Sequence, residues 1–234
     1  MPAYKYMKKA PIRHRKARPS RGKIYGAAAG QLYRDVKMIE NAINVEYKVQ
    51  DTQQALATVS QTPTVTLWNA LQLGNDYNQR NGRQVKWTSI YQRITAQSPA
   101  TATVPHYVRH VLFWYKDPSA TAPTPTQMFN AGAPSINAMT NLNVRKDFII
   151  LYDKVYKIGT ATGGEASAFR KIYKKCNMRT VFNASSLGTI ADIESGALYS
   201  MTWSDTSTAA EMPTLTIQSR LRYRDWETDR KSVV

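Results

Sequence analysis

At 234 residues, with 42% hydrophobic side chains, five Trp, fourteen Tyr and five Phe, the chain can bury one sizeable core. No apolar run approaches the ~18 residues needed to span a bilayer, and no apolar segment follows the first positive charges, which argues against a membrane span and a secretory signal. The formal charge of +16 calls for a polyanionic partner, while the single cysteine, Cys176, excludes an intramolecular disulfide and a multi-cysteine metal site.

The charge is concentrated at the start. Lys5, Lys8, Lys9, Arg13, Arg15, Lys16, Arg18, Arg21 and Lys23 stand in the first 23 residues, with His14 and no carboxylate. The rest of the chain carries 23 of the 32 cations and all 16 carboxylates. A run of like charge without apolar periodicity repels itself and cannot bury itself, so residues 1–30 are expected to form a disordered basic arm. Nucleic acid is the expected partner, because each neutralised phosphate releases condensed counterions. The same run, KKAPIRHRKARPSRGK, would also serve as a nuclear-import signal.

Gly26-Ala27-Ala28-Ala29-Gly30 reads as a hinge. Leu32, Val36, Ile39 and Ile43 then share one face of a short amphipathic helix that Asn44 would end. From Val45 the signals are β. VEYKV and TVTLWNALQL are rich in β-branched and aromatic residues. In QVKWTSIYQRITA the apolar parity slips between Trp87 and Ile90, which predicts a bulge near Thr88-Ser89. HYVRHVLFWYKD has a continuous apolar centre, Val111 to Tyr115. DFIILYDKVYKIG reads as two strands meeting around Tyr152-Asp153-Lys154, and FRKIYKKC with MRTVFNA as another pair. GALYSMTWS and TLTIQSRLRYR follow, the latter alternating Leu215, Ile217, Ser219, Leu221 and Tyr223 with polar residues.

The spacers are as informative. Asp117 to Pro125 is rich in Pro, Ala and Thr, with Thr124 and Pro125 as N-cap and first residue of a short helix. Residues 130–143, 160–168 and 185–195 read as long connections. Eight or nine strands with almost no helix predict an all-β fold: a single jelly roll, an antiparallel eight-stranded β-sandwich, over residues 31–225. The last stretch, 226–234, lacks strand, cap or turn logic, and DRKSVV back-translates to the start of a common sequencing-library adapter. It is expected to be foreign, an expectation that a genomic read still encoding DRKSVV would overturn.

Little here suggests chemistry. His106 and His110 share a strand, where four residues span ~13 Å, too far to bind one metal together. Asp147 with Asp153, and Asp192 with Glu194, are spacings common in ordinary turns. Cys176 lies among lysines but has no adjacent His, so a packed, inert thiol is expected. The Asn183-Ala184-Ser185 sequon is expected to be unused. No enzyme, cofactor or metal is expected. Arg170, Lys171, Lys174 and Lys175 interleave with Phe169, Ile172 and Tyr173, mixing charge with stacking surface as single-strand binders do, or forming a merely solvated strand face.

Four stretches beyond the arm carry a resemblance: YRDVKMIENAINVEYKVQD, LQLGNDYNQRNGRQVKWTSIYQRITA, VRHVLFWYKDPSATAPTPTQMF, and FIILYDKVYKIG with TIQSRLRYRD. In order and spacing they resemble capsid proteins of circular Rep-encoding single-stranded DNA (CRESS-DNA, circovirus-like) viruses, across nearly all of 30–225. Asn81 departs where an aliphatic residue is common, and the arm is less Arg-dense than many in that group. The resemblance implies a shell subunit of about 60 copies in a T=1 icosahedron, found in the virion and, during assembly, in the host nucleus. It implies that the arm holds a single-stranded DNA genome on the inside; its charge suits RNA equally. Extended, 23 residues reach ~75–80 Å, and nine engaged cations predict a log–log salt slope of about −6 for single strands. The alternative is a monomeric β-sandwich nucleic-acid-binding module with a basic tail, which would stay near 26 kDa rather than sediment as megadalton particles.

Overall fold

The computed structural model describes residues 29–36, 38, 47–118, 120–130, 135–160 and 165–225. The chain divides into two units, Met1–Val45 and Glu46–Val234. In the first, residues 29–36 are helical, so Ala29 and Gly30 belong to a helix and not to the expected hinge. Leu32 and Val36 lie on it and are exposed. Ile39, Ile43 and Asn44 lie outside the described residues, as do the nine cations of residues 1–23 and the segment 226–234.

The second unit contains nine described strands: β1 Lys48–Thr58, β2 Thr64–Leu67, β3 Gln84–Gln97, β4 His106–Tyr115, β5 Phe148–Ile158, β6 Ser167–Phe182, β7 Ile193–Ser195, β8 Ala197–Ser204 and β9 Thr214–Asp225. They form a five-stranded sheet ordered β1-β9-β3-β6-β7 and a four-stranded sheet ordered β2-β8-β4-β5. All the strand pairs are antiparallel, and β1 with β9, β2 with β8, β3 with β6 and β4 with β5 nest like a long hairpin rolled on itself. That is a jelly roll. The three-residue β7, in a stretch expected to be loop, extends the eight-stranded plan.

The core forms where the alternating apolar residues of both sheets meet. Trp87, Ile90, Ile94, Leu215, Ile217, Leu221 and Tyr223 line the five-stranded side, all at most 1% exposed. The bulge expected near Thr88 is present: register against both β6 and β9 shifts between Trp87 and Ser89. It keeps Trp87 and Ile90 on the same face despite their odd spacing. A buried polar chain crosses between the sheets. Gln92 Nε2 donates to Ser219 Oγ at 3.5 Å, Gln92 Oε1 faces His110 Nε2 at 3.4 Å, and His110 Nδ1 meets Thr202 Oγ1 at 3.1 Å.

Three strand expectations need correction. DFIILYDKVYKIG is one strand, β5, because Asp153 is no turn residue: its carboxylate takes two bonds from Arg109 on the neighbouring strand, at 2.8 and 2.6 Å. FRKIYKKC and MRTVFNA are one 16-residue strand, β6, which follows β3 along its whole length. TVTLWNALQL leaves the sheet after Leu67. There the buried Asn69 side chain replaces ladder bonds, accepting from Leu198 N at 2.8 Å and donating to Gly196 O at 3.0 Å. β1 also runs well past VEYKV, through polar residues that suit a half-exposed edge.

The two sheets differ on their outer faces. The four-stranded sheet is roofed by the excursion from Lys116 to Asp147, whose one-turn helix Pro125–Met128 starts as the sequence predicts: Thr124 N donates to Gln127 Oε1 at 2.8 Å. Phe129 packs edge-on to Trp203 at 5.2 Å. Arg109 lies over both rings, at 5.0 and 5.2 Å, and donates to the carbonyls of Ile136 and Ala138. This covering explains why every β8 residue is buried and why β4 reads as a continuous apolar run.

Asp153→Ala would leave the Arg109 guanidinium buried without its carboxylate. Stability should fall by about 3 kcal/mol in denaturant unfolding, and limited proteolysis should open the 118–145 segment first. A loss under ~1 kcal/mol would mean that Arg109 does not fasten the roof.

Candidate nucleic-acid interface

The outer face of the five-stranded sheet is built by alternation. Residues that flank the buried positions of β9, β3 and β6 must point away from the core. On β9 these are Arg220, Arg222 and Arg224; on β3, Lys86, Ser89, Tyr91 and Arg93; on β6, Phe169, Lys171, Tyr173, Lys175 and Arg179. Register aligns them in rows across the strands. Arg220, Tyr91 and Tyr173 share one row; Gln218, Arg93 and Lys171 share the next; Arg222, Ser89 and Lys175 share a third; and Lys86 stands between Arg224 and Arg179. Two carboxylates stand on this face among the described residues, both on its margins: Asp51 of β1, opposite Arg220, and Glu194 of β7, paired with Arg83 at 2.6 Å.

Cations and rings interlock here. Arg93 lies 5.5 Å from the Tyr91 ring centroid and donates to the Tyr91 hydroxyl at 2.9 Å, a bond that holds the phenol pKa below its ordinary value. Lys171 Nζ is 5.6 Å from the Phe169 ring, and Arg222 lies 5.8 Å from the Tyr47 ring. Arg220 grips Asp51 through two bonds of 2.7 Å, which depress the Asp51 carboxyl. Between Asp51, Tyr91, Arg93 and Arg220 lies a shallow depression of about 420 Å³. Phe169 and Tyr173, held outward by the register of β6, are 49% and 59% exposed.

The four body cations singled out in the sequence separate. Lys171 and Lys175 belong to this face, whereas Arg170 and Lys174 share the parity of the buried Ile172 and point to the other side of β6. Arg170 lies 5.9 Å from the Tyr156 ring of β5. Arg93, Arg220 and Arg222 join this face only through the register of β3 with β9, strands more than 100 residues apart. The alternation of β9 alone held the signal.

The remaining candidates are structural. His106 is 5% exposed, with Nδ1 3.3 Å from Asp205 and Nε2 3.8 Å from Glu211. His110 is fully buried in the inter-sheet polar chain. Asp192 accepts from Thr189 N at 2.7 Å, and Glu194 pairs with Arg83 at 2.6 Å. Burial pushes the Cys176 thiol up to about 11, which makes it a poor nucleophile. Among the described residues no three His, Cys, Asp or Glu side chains group as a metal site would require.

The jelly roll serves viral coat subunits, lectins and cupins alike, and sequence comparison decides among them. The model of the family described as "Geminivirus coat protein/nuclear export factor BR1 family" matches residues 4–226. The chain belongs to that family, and it is a capsid protein of the circular single-stranded DNA virus kind. Among solved structures, the empty head of turnip yellow mosaic virus is 16% identical, covering 76% of this chain and 80% of that one. Desmodium yellow mottle tymovirus is 14% identical, covering 76% and 87%. Both superpose with a TM-score of 0.32, too low to add to the argument from strand order. No curated protein sequence matches significantly.

The buried histidine gives the body a pH dependence. Desolvation brings His110 down from 6.5 to about 4, against the opposing pull of Asp153, so the folded form keeps a neutral ring. Above pH 6.5 neither folded nor unfolded chain protonates it, and the stability is fully present. As pH falls from 6.5 to 4 the unfolded chain binds the proton first, at a cost of about 3 kcal/mol in all. Unfolding midpoints should therefore drop more across this window in the natural chain than in His110→Gln. Equal drops would show that His110 does not titrate as a buried neutral group.

Proposed function

We propose that this coat protein closes into a small T=1-like icosahedral shell of about 60 copies and packages single-stranded DNA through its basic N-terminal arm. The observation that carries the reading is the pairing of a family-matched jelly roll with nine cations and no carboxylate in the first 23 residues. Residues 1–30 act as the arm and 31–225 as the shell domain. Lys5, Lys8, Lys9, Arg13, Arg15, Lys16, Arg18, Arg21 and Lys23 neutralise phosphates without regard to base sequence. Lys171 and Lys175 add secondary contacts on the outer face of the five-stranded sheet, and Arg170 and Lys174 do so from the opposite side of β6. The arm doubles as an import signal for assembly in the host nucleus, in keeping with a family description that also names a nuclear export factor. Exposed Met139, Leu142, Ile149 and Val155 offer copies an apolar surface through which to meet. The protein works as a structural element, not as an enzyme.

The test compares the full chain with one starting at Gln31, by negative-stain microscopy and the 260/280 nm absorbance ratio. Uniform closed shells are expected, holding much less nucleic acid when the arm is absent, the arm's nine cations accounting for about −6 of the log–log salt slope for single strands. Dispersed chains of about 26 kDa in both samples would favour the monomeric nucleic-acid-binding module.

A further inference from the structure

We propose that the outer face of the five-stranded sheet is a second nucleic-acid site, selective for single strands. Unpaired bases stack on Tyr91, Tyr173 and Phe169 while Arg93, Lys171 and Arg222 neutralise the phosphates. The site deepens the packaging reading and rests on it, but it lies on the body and not on the arm.

The cross-strand pairs give the first argument. Sheets ordinarily set opposite charges or neutral groups across from one another, because like charges there are destabilising. Asp51 opposite Arg220 follows the rule. Arg93 opposite Lys171, on strands that pair along their full length, breaks it. A polyanion laid over that row relieves the repulsion. The two marginal carboxylates among the described residues do not oppose it, since Asp51 is held by both Arg220 bonds and Glu194 by Arg83.

The rings give the second argument. Tyr91 and Tyr173 are direct cross-strand partners, with Phe169 four residues along β6 on the same face. Successive outward positions are ~6.7 Å apart along a strand, so the Tyr91–Tyr173 row lies one step from Arg93–Lys171 on one side and from Arg222–Lys175 on the other. Cations flanking a strip of aromatic faces is the arrangement that holds single strands without reading sequence. A duplex offers such a surface only its phosphates, because its base faces are already stacked. A second copy is a poor occupant, since two such cationic faces repel.

The test uses the full chain and fluorescein-labelled (dT)20 beside a 20-base-pair duplex, followed by anisotropy over a salt series. Tyr173→Ala combined with Phe169→Ala, both at exposed rings, should weaken (dT)20 about tenfold or more while leaving the duplex within twofold. Arg93→Gln, Lys171→Gln and Arg222→Gln together should reduce the (dT)20 slope by about 2, at ~0.7 per contact. Photocrosslinking of the unsubstituted chain to a 4-thiothymidine oligonucleotide should label residue 91 or 169–173. The proposal is overturned if neither variant changes binding, if the ring variant weakens both probes equally, or if adducts fall only within residues 1–30. It is also overturned if the variants fail to form shells while binding is unchanged, which makes the face a subunit contact. Failure of the unsubstituted chain to bind either probe would remove the packaging reading too; indifferent variants of a binding chain remove the sheet site alone.

Discussion

The asymmetry of this molecule hangs on one buried guanidinium. Arg109 emerges from the outer side of β4, a face that an uncovered sheet would turn to water. It binds both oxygens of Asp153, two carbonyls of the excursion above it, and two aromatic rings. A guanidinium can satisfy all these partners at once because its donors are fixed in a plane that also stacks. Removed from water, it requires them, since a buried charge lacking its partner costs several kcal/mol. The excursion is therefore tied down over the four-stranded sheet, β4 and β8 become two-sided core strands, and the other sheet is left to present its polar face.

That arrangement decides which parts of the fold were legible in the sequence. Where burial alternates, the pattern was plain: β9 reads correctly residue by residue, and the parity slip at Thr88 locates a bulge that the register confirms. Where a polar residue stands within a strand for a tertiary reason, the pattern misleads. Asp153 looks like a turn until Arg109 is seen across from it, and Asn69 looks like part of a strand until its amide is seen replacing ladder bonds. The sequence suggests a break at Asn177 because β6, bordered by β7 only at Val181 and Phe182, exposes polar residues on both faces over most of its length and shows no period. Such features are pairwise, and one sequence does not display pairs.

The candidate site divides along the same line. The arm was legible because its signal is local: charge density without periodicity. The sheet face was legible in only two of its cations, Lys171 and Lys175, because the others come from β3 and β9 and meet only through register. Phe169 and Tyr173 did stand out as exposed stacking surface, yet their partner Tyr91 lies 82 positions from Tyr173.

The cations thus fall into two physical groups. Lys48 and Arg109 are nearly inaccessible and ion-paired with Asp225 and Asp153; Arg80, 1% exposed, donates to the carbonyls of Leu71, Gly82 and Ser185 and covers the Phe182 ring at 4.4 Å. These belong to the fold, and salt should hardly affect them, because screening is weak for buried pairs. The outward rows of β3, β6 and β9 carry no carboxylate, and the flanking Asp51 and Glu194 are each already paired with an arginine, so the mutual repulsion of these rows varies with ionic strength. A surface of that kind gains stability from whatever polyanion covers it, by ordinary linkage between binding and folding. In a shell of cationic subunits the same relation ties closure to cargo: the repulsion that opposes packing the copies together is the repulsion that an enclosed strand removes.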